Sequence, residues 1–149
     1  MCSSDLAPAR QRAELLRSRG RAYSRTSDWQ HAIGDFEAAI AASPDDSTRE
    51  ATLLALAMLL TDHDDYPAAL HWAGQALDLA RVNNDRRGYA RALSVEARVL
   101  VRQARAQDAV DRLTEALSVH RELGDRRGEA EALDNLAAPL DRKSTRLNS

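Results

Sequence analysis

Cysteine occurs once, as Cys2, which leaves no internal disulfide to form. Aromatic residues are scarce too, with one Phe, two Trp and three Tyr, so alanine and leucine must supply most of any packed interior. Long apolar runs are missing. The greasiest stretch, residues 53–60, falls far short of the ~18–20 residues needed to span a bilayer. The first nine residues have neither a basic start nor an apolar core, so they do not read as a secretory signal. A formal charge of −2 offers no general attraction to nucleic acid or to anionic lipid. Runs of β-branched residues and Asn-Gly hairpin turns are absent as well, which removes the usual signs of sheet. Cytoplasm is the expected compartment. With 44% hydrophobic and 30% charged residues, 149 residues suit one soluble domain rather than a disordered chain.

What the sequence does have is an internal duplication. Asp85-Arg86-Arg87-Gly88-Tyr89-Ala90-Arg91-Ala92-Leu93 returns further along as Asp125-Arg126-Arg127-Gly128-Glu129-Ala130-Glu131-Ala132-Leu133. Between residues 84–100 and 124–140, nine of 17 positions are identical. A fixed period of this size marks a stacked repeat protein, in which each unit buries its apolar face against its neighbours. Apolar residues recur at three- and four-residue spacing, as in Leu53, Leu56, Leu60 and in Leu93, Ala97, Leu100. Breakers at Ser43-Pro44-Asp45-Asp46, Asn83-Asn84-Asp85 and Gly124-Asp125 separate the units, and Asp85 and Asp125 suit helix N-caps. Seven helices are expected, at 8–25, 29–42, 47–62, 66–82, 86–103, 106–122 and 126–140. Pro139 falls inside the last and is expected to fray its end.

The stretch from Ser27 through Pro44 resembles the second helix of a tetratricopeptide repeat. Ala32, Phe36, Ala39 and Pro44 fill that family's Ala, large, Ala and Pro places. Leu16, Gly20 and Tyr23 match the first helix, where Arg19 replaces an expected leucine. A second unit supplies Leu53, Leu56, Ala57, Leu60, Ala69, Ala73 and Ala76. A third supplies Leu93, Ala97, Leu100, Ala109, Leu113 and Ala116, with Glu96 as its departure. Leu133, Leu136, Ala137 and Leu140 open a fourth. The equivalent alanines Ala32, Ala69 and Ala109 are spaced more widely than the roughly 34 residues of the common form. This is similar to the long-period variants of kinesin light chains and of the sensor arms of bacterial transcriptional regulators. The resemblance implies an all-α solenoid, a right-handed superhelix of about 3.5 repeats over 9–141. Its units fall at about 13–46, 50–84, 90–124 and, in part, 130–141.

Composition changes at both ends. Arginine outnumbers lysine 20 to one, and the single lysine, Lys143, lies in the sequence following Asp141. Both ends resemble translated sequencing-adaptor peptides. The expectation is a disordered or non-native head at 1–8, a similar tail at 142–149, and a chain that is a piece of a longer protein.

Nothing in the sequence sets up catalysis. Asp62-His63-Asp64-Asp65 is the one cluster with metal-ligand character, and it reads more simply as a solvated turn with Asp65 capping the next helix. His31, His71 and His120 lie far apart on second helices, and no serine or cysteine sits beside a histidine as an activated nucleophile. Gly88 and Gly128 read as isolated turn glycines, not a phosphate loop. Arg86-Arg87 and Arg126-Arg127 read as solvent-facing first turns rather than a basic ridge, because nearby acids offset them. No catalytic residue, metal or cofactor is expected.

The resemblance implies that first helices line a concave groove. Transferred by position, its residues are Glu14, Arg17, Arg21 and Ser24, then Ala51, Leu54, Met58 and Thr61. Arg91, Ser94, Arg98 and Val101 follow, with Glu131 and Asp134 last. Of these, Arg17, Arg21, Leu54, Met58, Arg91 and Arg98 are the candidate partner-binding residues. The series suits a peptide or helix with an apolar centre and acidic flanks. The Lys/Asn carboxylate clamp of chaperone-binding relatives is not reproduced. The expected function is a non-catalytic protein-interaction scaffold, a fragment of a larger bacterial regulatory or signalling protein, with no nucleic-acid or membrane partner. The alternative is an arm of a multidomain ATPase or enzyme whose catalytic domain lies elsewhere. Self-association through the uncapped last repeat is a further expectation, since Leu133, Leu136 and Leu140 would present an apolar stripe.

Overall fold

The computed structural model describes residues 3–148, and among them it holds seven α-helices and no strand. They are α1 (Ser3–Arg25), α2 (Trp29–Ala42), α3 (Asp46–Asp62), α4 (Tyr66–Val82), α5 (Arg86–Arg102), α6 (Ala106–Glu122) and α7 (Arg126–Leu147). The inner boundaries match the sequence expectation within a residue. The outer ones do not: α1 starts at Ser3 and α7 runs on to Leu147, past Pro139. The proline costs one backbone hydrogen bond, but its buried side chain packs into the fold, so the helix continues instead of fraying. Cys2 and the outermost positions of the expected head and tail, Met1 and Ser149, lie outside the described residues.

One turn is used five times. Ser27, Asp64, Asn84, Ala104 and Gly124 each take a positive φ of 52–64°, which ends one helix, and the next residue starts another. Asp28, Asp65, Asp85 and Asp125 occupy that next place and accept from the N–H three residues on, with Gly88 N to Asp85 at 2.9 Å. Arg105 fills it without a side-chain cap. So short a link folds each helix back on the one before. The α2–α3 link departs from this scheme. Ser43 is extended, Pro44 follows, and Asp45 caps α3 through Thr48 N at 2.9 Å.

Each helix packs on its neighbour in sequence. The odd helices also touch one another, α1 with α3, α3 with α5 and α5 with α7, whereas among the described residues no even helix meets another even one. Contact on one side only curves the stack and makes the odd helices its inner wall. Among the described residues the interior is three apolar clusters in series. Ala32, Phe36, Leu56, Leu60 and Ala69 join the first two units. Leu53, Ala76, Leu77, Ala90 and Leu93 join the second and third. Ala97, Leu100, Ala109, Leu113 and Leu136 join the third and fourth. The alanines at the repeat's small places, Ala32, Ala69, Ala109, Ala39, Ala76 and Ala116, are fully buried, because a small side chain lets two helices approach. Leu136 is buried in the last cluster, so the expected stripe on α7 reduces to Leu133 and Leu140, each 46% exposed.

Both departures from the leucine place are resolved inside their own unit. Arg19 donates two hydrogen bonds to Asp35, at 2.6 and 2.7 Å, and holds that carboxyl below its ordinary range. Glu96 pairs with Arg112 at 3.2 Å. Both pairs link a first helix to the second helix of the same unit. The same two places in the second unit hold Leu56 and Trp72, which share a cluster.

Gly88 and Gly128 are not turn glycines. Both are buried in the first turns of α5 and α7. A Cβ on Gly88 would run into the Glu50 and Asp85 carboxylates, and one on Gly128 would fall on the His120 ring. They are conditions of close approach between units.

Candidate functional site on the concave face

The inner wall carries a cleft of about 520 Å³ between α3, α5 and α7. Leu54 enters from α3, and Arg87, Arg91, Ser94, Val95 and Arg98 from α5. His120 comes from the end of α6, and Asp125, Arg127, Gly128, Glu131 and Asn135 from the last turn and α7. Helical spacing explains the α5 set, since positions 87, 91, 94, 95 and 98 recur every three or four residues and so share one face. A second cleft of about 240 Å³ adjoins it, sharing Arg98 and Asn135 and adding Thr61, Asp62, Val101, Arg102 and Asp134.

The cleft is rich in arginine, yet most of that charge is answered. Arg91 reaches the buried Glu50 at 3.0 Å. Burial pushes the Glu50 carboxyl up, against the pull of Arg91 and with a further push from Asp85. Arg87 stands 3.6 Å from Asp125, and Arg127 Nε donates to Glu131 at 3.1 Å. Asp125 is the hub of the wall. It caps α7 through Gly128 N, which lowers its carboxyl most, and it also lies 3.1 Å from His120 Nδ1. Arg98 is exposed and forms no ion pair among the described residues. Leu54 and Val95 are half-buried beside it and offer an apolar floor.

Of the residues expected on the concave face, the cleft brings together Leu54, Arg91 and Arg98, with Ser94 and Glu131. The adjoining cleft takes Thr61, Val101 and Asp134. Arg17, Arg21 and Met58 do not line either one: Arg17 and Met58 are half-buried and Arg21 is exposed.

The metal-like cluster is dispersed. His63 stacks on Trp29 at 5.1 Å, Asp64 takes hydrogen bonds from Arg102 and Tyr66, and Asp65 caps α4. Among the described residues no group of three or more His, Cys, Asp or Glu could hold a metal ion. None of their helices is long and apolar enough to cross a membrane.

The chain is thus a stack of helix pairs with buried alanines at the small places and curvature to one side. The family model described as tetratricopeptide repeat matches residues 48–122, half of the chain. The chain belongs to the tetratricopeptide repeat family. Among solved structures, a TPR-like protein from Chlorobium tepidum is similar, with a TM-score of 0.63 over 89% of this chain and 97% of that one. At 18% identity the likeness is one of fold. No curated protein matches the chain.

The matched tetratricopeptide segment supplies the second and third units, and these hold two of the three walls of the cleft. Sequence reasoning missed Arg87, Val95, His120, Asp125, Arg127, Gly128 and Asn135 as wall residues. Arg87 and Asp125 could have been found, because the duplicated Asp-Arg-Arg-Gly puts them at a unit boundary on the inner edge. His120 gave no signal beyond standing where the preceding unit has Ala80, and the larger ring needs a glycine opposite.

Proposed function

We propose that this chain is a cytoplasmic, non-catalytic protein-interaction scaffold that takes a peptide or helix on its concave surface, as part of a larger bacterial regulatory or signalling protein. Membership of the tetratricopeptide repeat family supports the coarse reading, since that family is generally non-catalytic and serves protein association. The observation that carries the finer one is the cleft on the inner wall, with Leu54 and Val95 as floor and arginines at its rim. Rigid helices hold those side chains in place before any partner arrives, which lowers the ordering cost of association. The pairing of Arg87, Arg91 and Arg127 with carboxylates leaves little of the continuous positive field that nucleic acid requires.

The test is a screen of the full chain against a degenerate array of short synthetic peptides, followed by amide NMR mapping of the peptides that bind. Shifts confined to α3, α5 and α7 around Leu54, Ser94 and Arg98 are expected. Absence of any bound peptide, or shifts on the outer faces of α2, α4 and α6, would overturn the proposal.

A further inference from the structure

We infer that the joint between the second and third units responds to pH: Glu50, inserted beside Gly88, closes it as a neutral acid hydrogen-bonded to Asp85 and loosens it once both carboxyls are ionised. The joint sets the spacing of α3 and α5, which form two walls of the cleft, and it stands apart from whatever the cleft takes.

Packing alone does not call for an acid at this place. Forty residues on, the equivalent of Glu50 is Ala90, which is fully buried, so a methyl group suffices there. Glu50, only 3% exposed, instead sends a carboxyl from α3 against the first turn of α5. A Cβ on Gly88 would come within 2.5 Å of Asp85 Oδ2 and 2.6 Å of both Glu50 oxygens, so the two acids flank one point. At the next seam the bare place beside Gly128 takes the His120 ring, which meets the cap Asp125 as a base rather than as a second acid.

The charges around the pair do not balance. Arg91 reaches Glu50 at 3.0 Å but is itself more than half exposed, and Asp85 already accepts from Gly88 N as the cap of α5. Charged groups on the elements packed against α3 are mostly engaged elsewhere. Arg10 of α1 meets Asp45, Arg19 of α1 meets Asp35 of α2, and Arg49 meets Asp46 within α3. Arg81 meets Asp78 on α4, and Arg87 of α5 meets Asp125. Glu14 and Arg17 on α1 form no ion pair among the described residues. One arginine therefore answers two carboxyls in a seam that solvent barely reaches, and two ionised acids there repel. A proton held between them removes one charge and adds a hydrogen bond. Burial above all, with Asp85 adding to it, pushes the Glu50 carboxyl up from 4.5 against the pull of Arg91. A raised folded value stabilises fully below about 4.5 and is lost as pH rises through it, so the joint is firmest in acid and slackest at neutral pH.

The experiment titrates the Glu50 side-chain carboxyl by carbon NMR in the full chain. It also follows amide exchange of α3 and α5 from about pH 4.5 to 7.5, corrected for the intrinsic pH dependence of exchange. The native protein is compared with Glu50→Gln, a neutral mimic of the protonated acid, and with Asp85→Asn, which keeps a cap. A Glu50 midpoint above 4.5 is expected, and it should move down in D85N. Each pH unit by which the midpoint exceeds 4.5 should appear as about a tenfold loss of seam protection on going to neutral pH. In E50Q that loss should vanish, although Glu96, which burial also pushes up, is still present. A midpoint at or below 4.5 overturns the inference, and so does one that D85N leaves in place. Equal loss of protection in the native protein and E50Q would put the response outside this joint and sink it too. The titration of the native protein decides the first point even where a variant folds poorly. None of these readouts involves a peptide, so the scaffold reading is untouched by either result.

Discussion

At the scale of single residues, the repeated turn decides which side chains are well placed. Ala104 sits at φ 60°, where a Cβ costs about 1 kcal/mol and glycine costs nothing. Ala104→Gly is therefore expected to stabilise the chain by about 0.5–1 kcal/mol and raise its melting temperature by a few degrees. Glycine already occupies the same place at Gly124, and Asn84 tolerates it. The helix glycines divide into two kinds. Gly74 lies inside α4 with nothing within 4 Å of where its Cβ would be, so Gly74→Ala should stabilise by up to about 1 kcal/mol. Gly128→Ala should do the opposite, by about 1–3 kcal/mol or more, because the new methyl falls on His120. Differential scanning calorimetry of the three variants checks the signs, and a stable G128A would refute the close-approach account. Little of this was readable beforehand. Asn84 and Gly124 announce a turn, but Ala104 does not, and the crowding at Gly88 and Gly128 comes from Glu50 and His120, which belong to the preceding units.

At the scale of helix pairs, the informative feature is the place that holds Arg19, Leu56 and Glu96 on first helices. It faces Asp35, Trp72 and Arg112 on second helices. Two pairs are ionic with opposite polarity and one is apolar, so α1 matched with α6 would oppose two arginines, and α5 matched with α2 two acids. Near-identical repeats risk pairing with the wrong partner, and this arrangement penalises it. Glu96→Arg is expected to destabilise by about 1–3 kcal/mol, and the double change Glu96→Arg with Arg112→Asp should restore at least half of the loss. Urea unfolding measures both, and if the second change brings no recovery then pairing is not what holds this place.

The two carboxylates also respond oppositely to pH. Asp35 has its folded pKa lowered by the Arg19 hydrogen bonds, so its stabilisation is present above about 3.8 and is lost as pH falls through the folded value. Glu96 has its folded pKa raised by burial, with Arg112 pulling the other way. Its contribution is largest below about 4.5 and declines as pH rises toward the folded value. Asp35→Asn should therefore flatten the acid limb of a stability–pH curve, and Glu96→Gln the stretch just above the ordinary glutamate range. The sequence marked Arg19 and Glu96 as departures from the repeat. That each meets its counter-charge on the very next helix follows from which helix faces touch, and no spacing rule announces it.

At the scale of the whole molecule, stability is a sum over neighbouring units, since three clusters in series replace a single core. This much was legible in advance from the duplication and from the alanines at 32, 69 and 109, which set the order and pairing of the helices, though the outer ends of α1 and α7 differ from the expectation. The unequal strength of the seams was not legible. The α2–α3 seam is the thinnest between consecutive helices: α2 has 14 residues against 17 in α4 and α6, and the link after it lacks the repeated turn. Asp45 ties this seam by capping α3 and by taking the Arg10 hydrogen bond at 3.1 Å.

A linear array with one weak joint opens there first, so α1 and α2 should exchange their amide hydrogens through a smaller opening energy than α4 to α6. Two substitutions separate this from general looseness. Asp45→Ala removes the cap, at a cost of about 1 kcal/mol, and should lower protection in α1, α2 and the first turn of α3 only. Ala109→Phe overpacks the third unit by about 1–3 kcal/mol or more and should lower protection in α5, α6 and α7 while sparing α1 and α2. Native-state hydrogen exchange read by mass spectrometry resolves all of these segments. Protection that falls uniformly along the chain in either variant would mean that the units unfold as one, and the weak-joint account would be wrong.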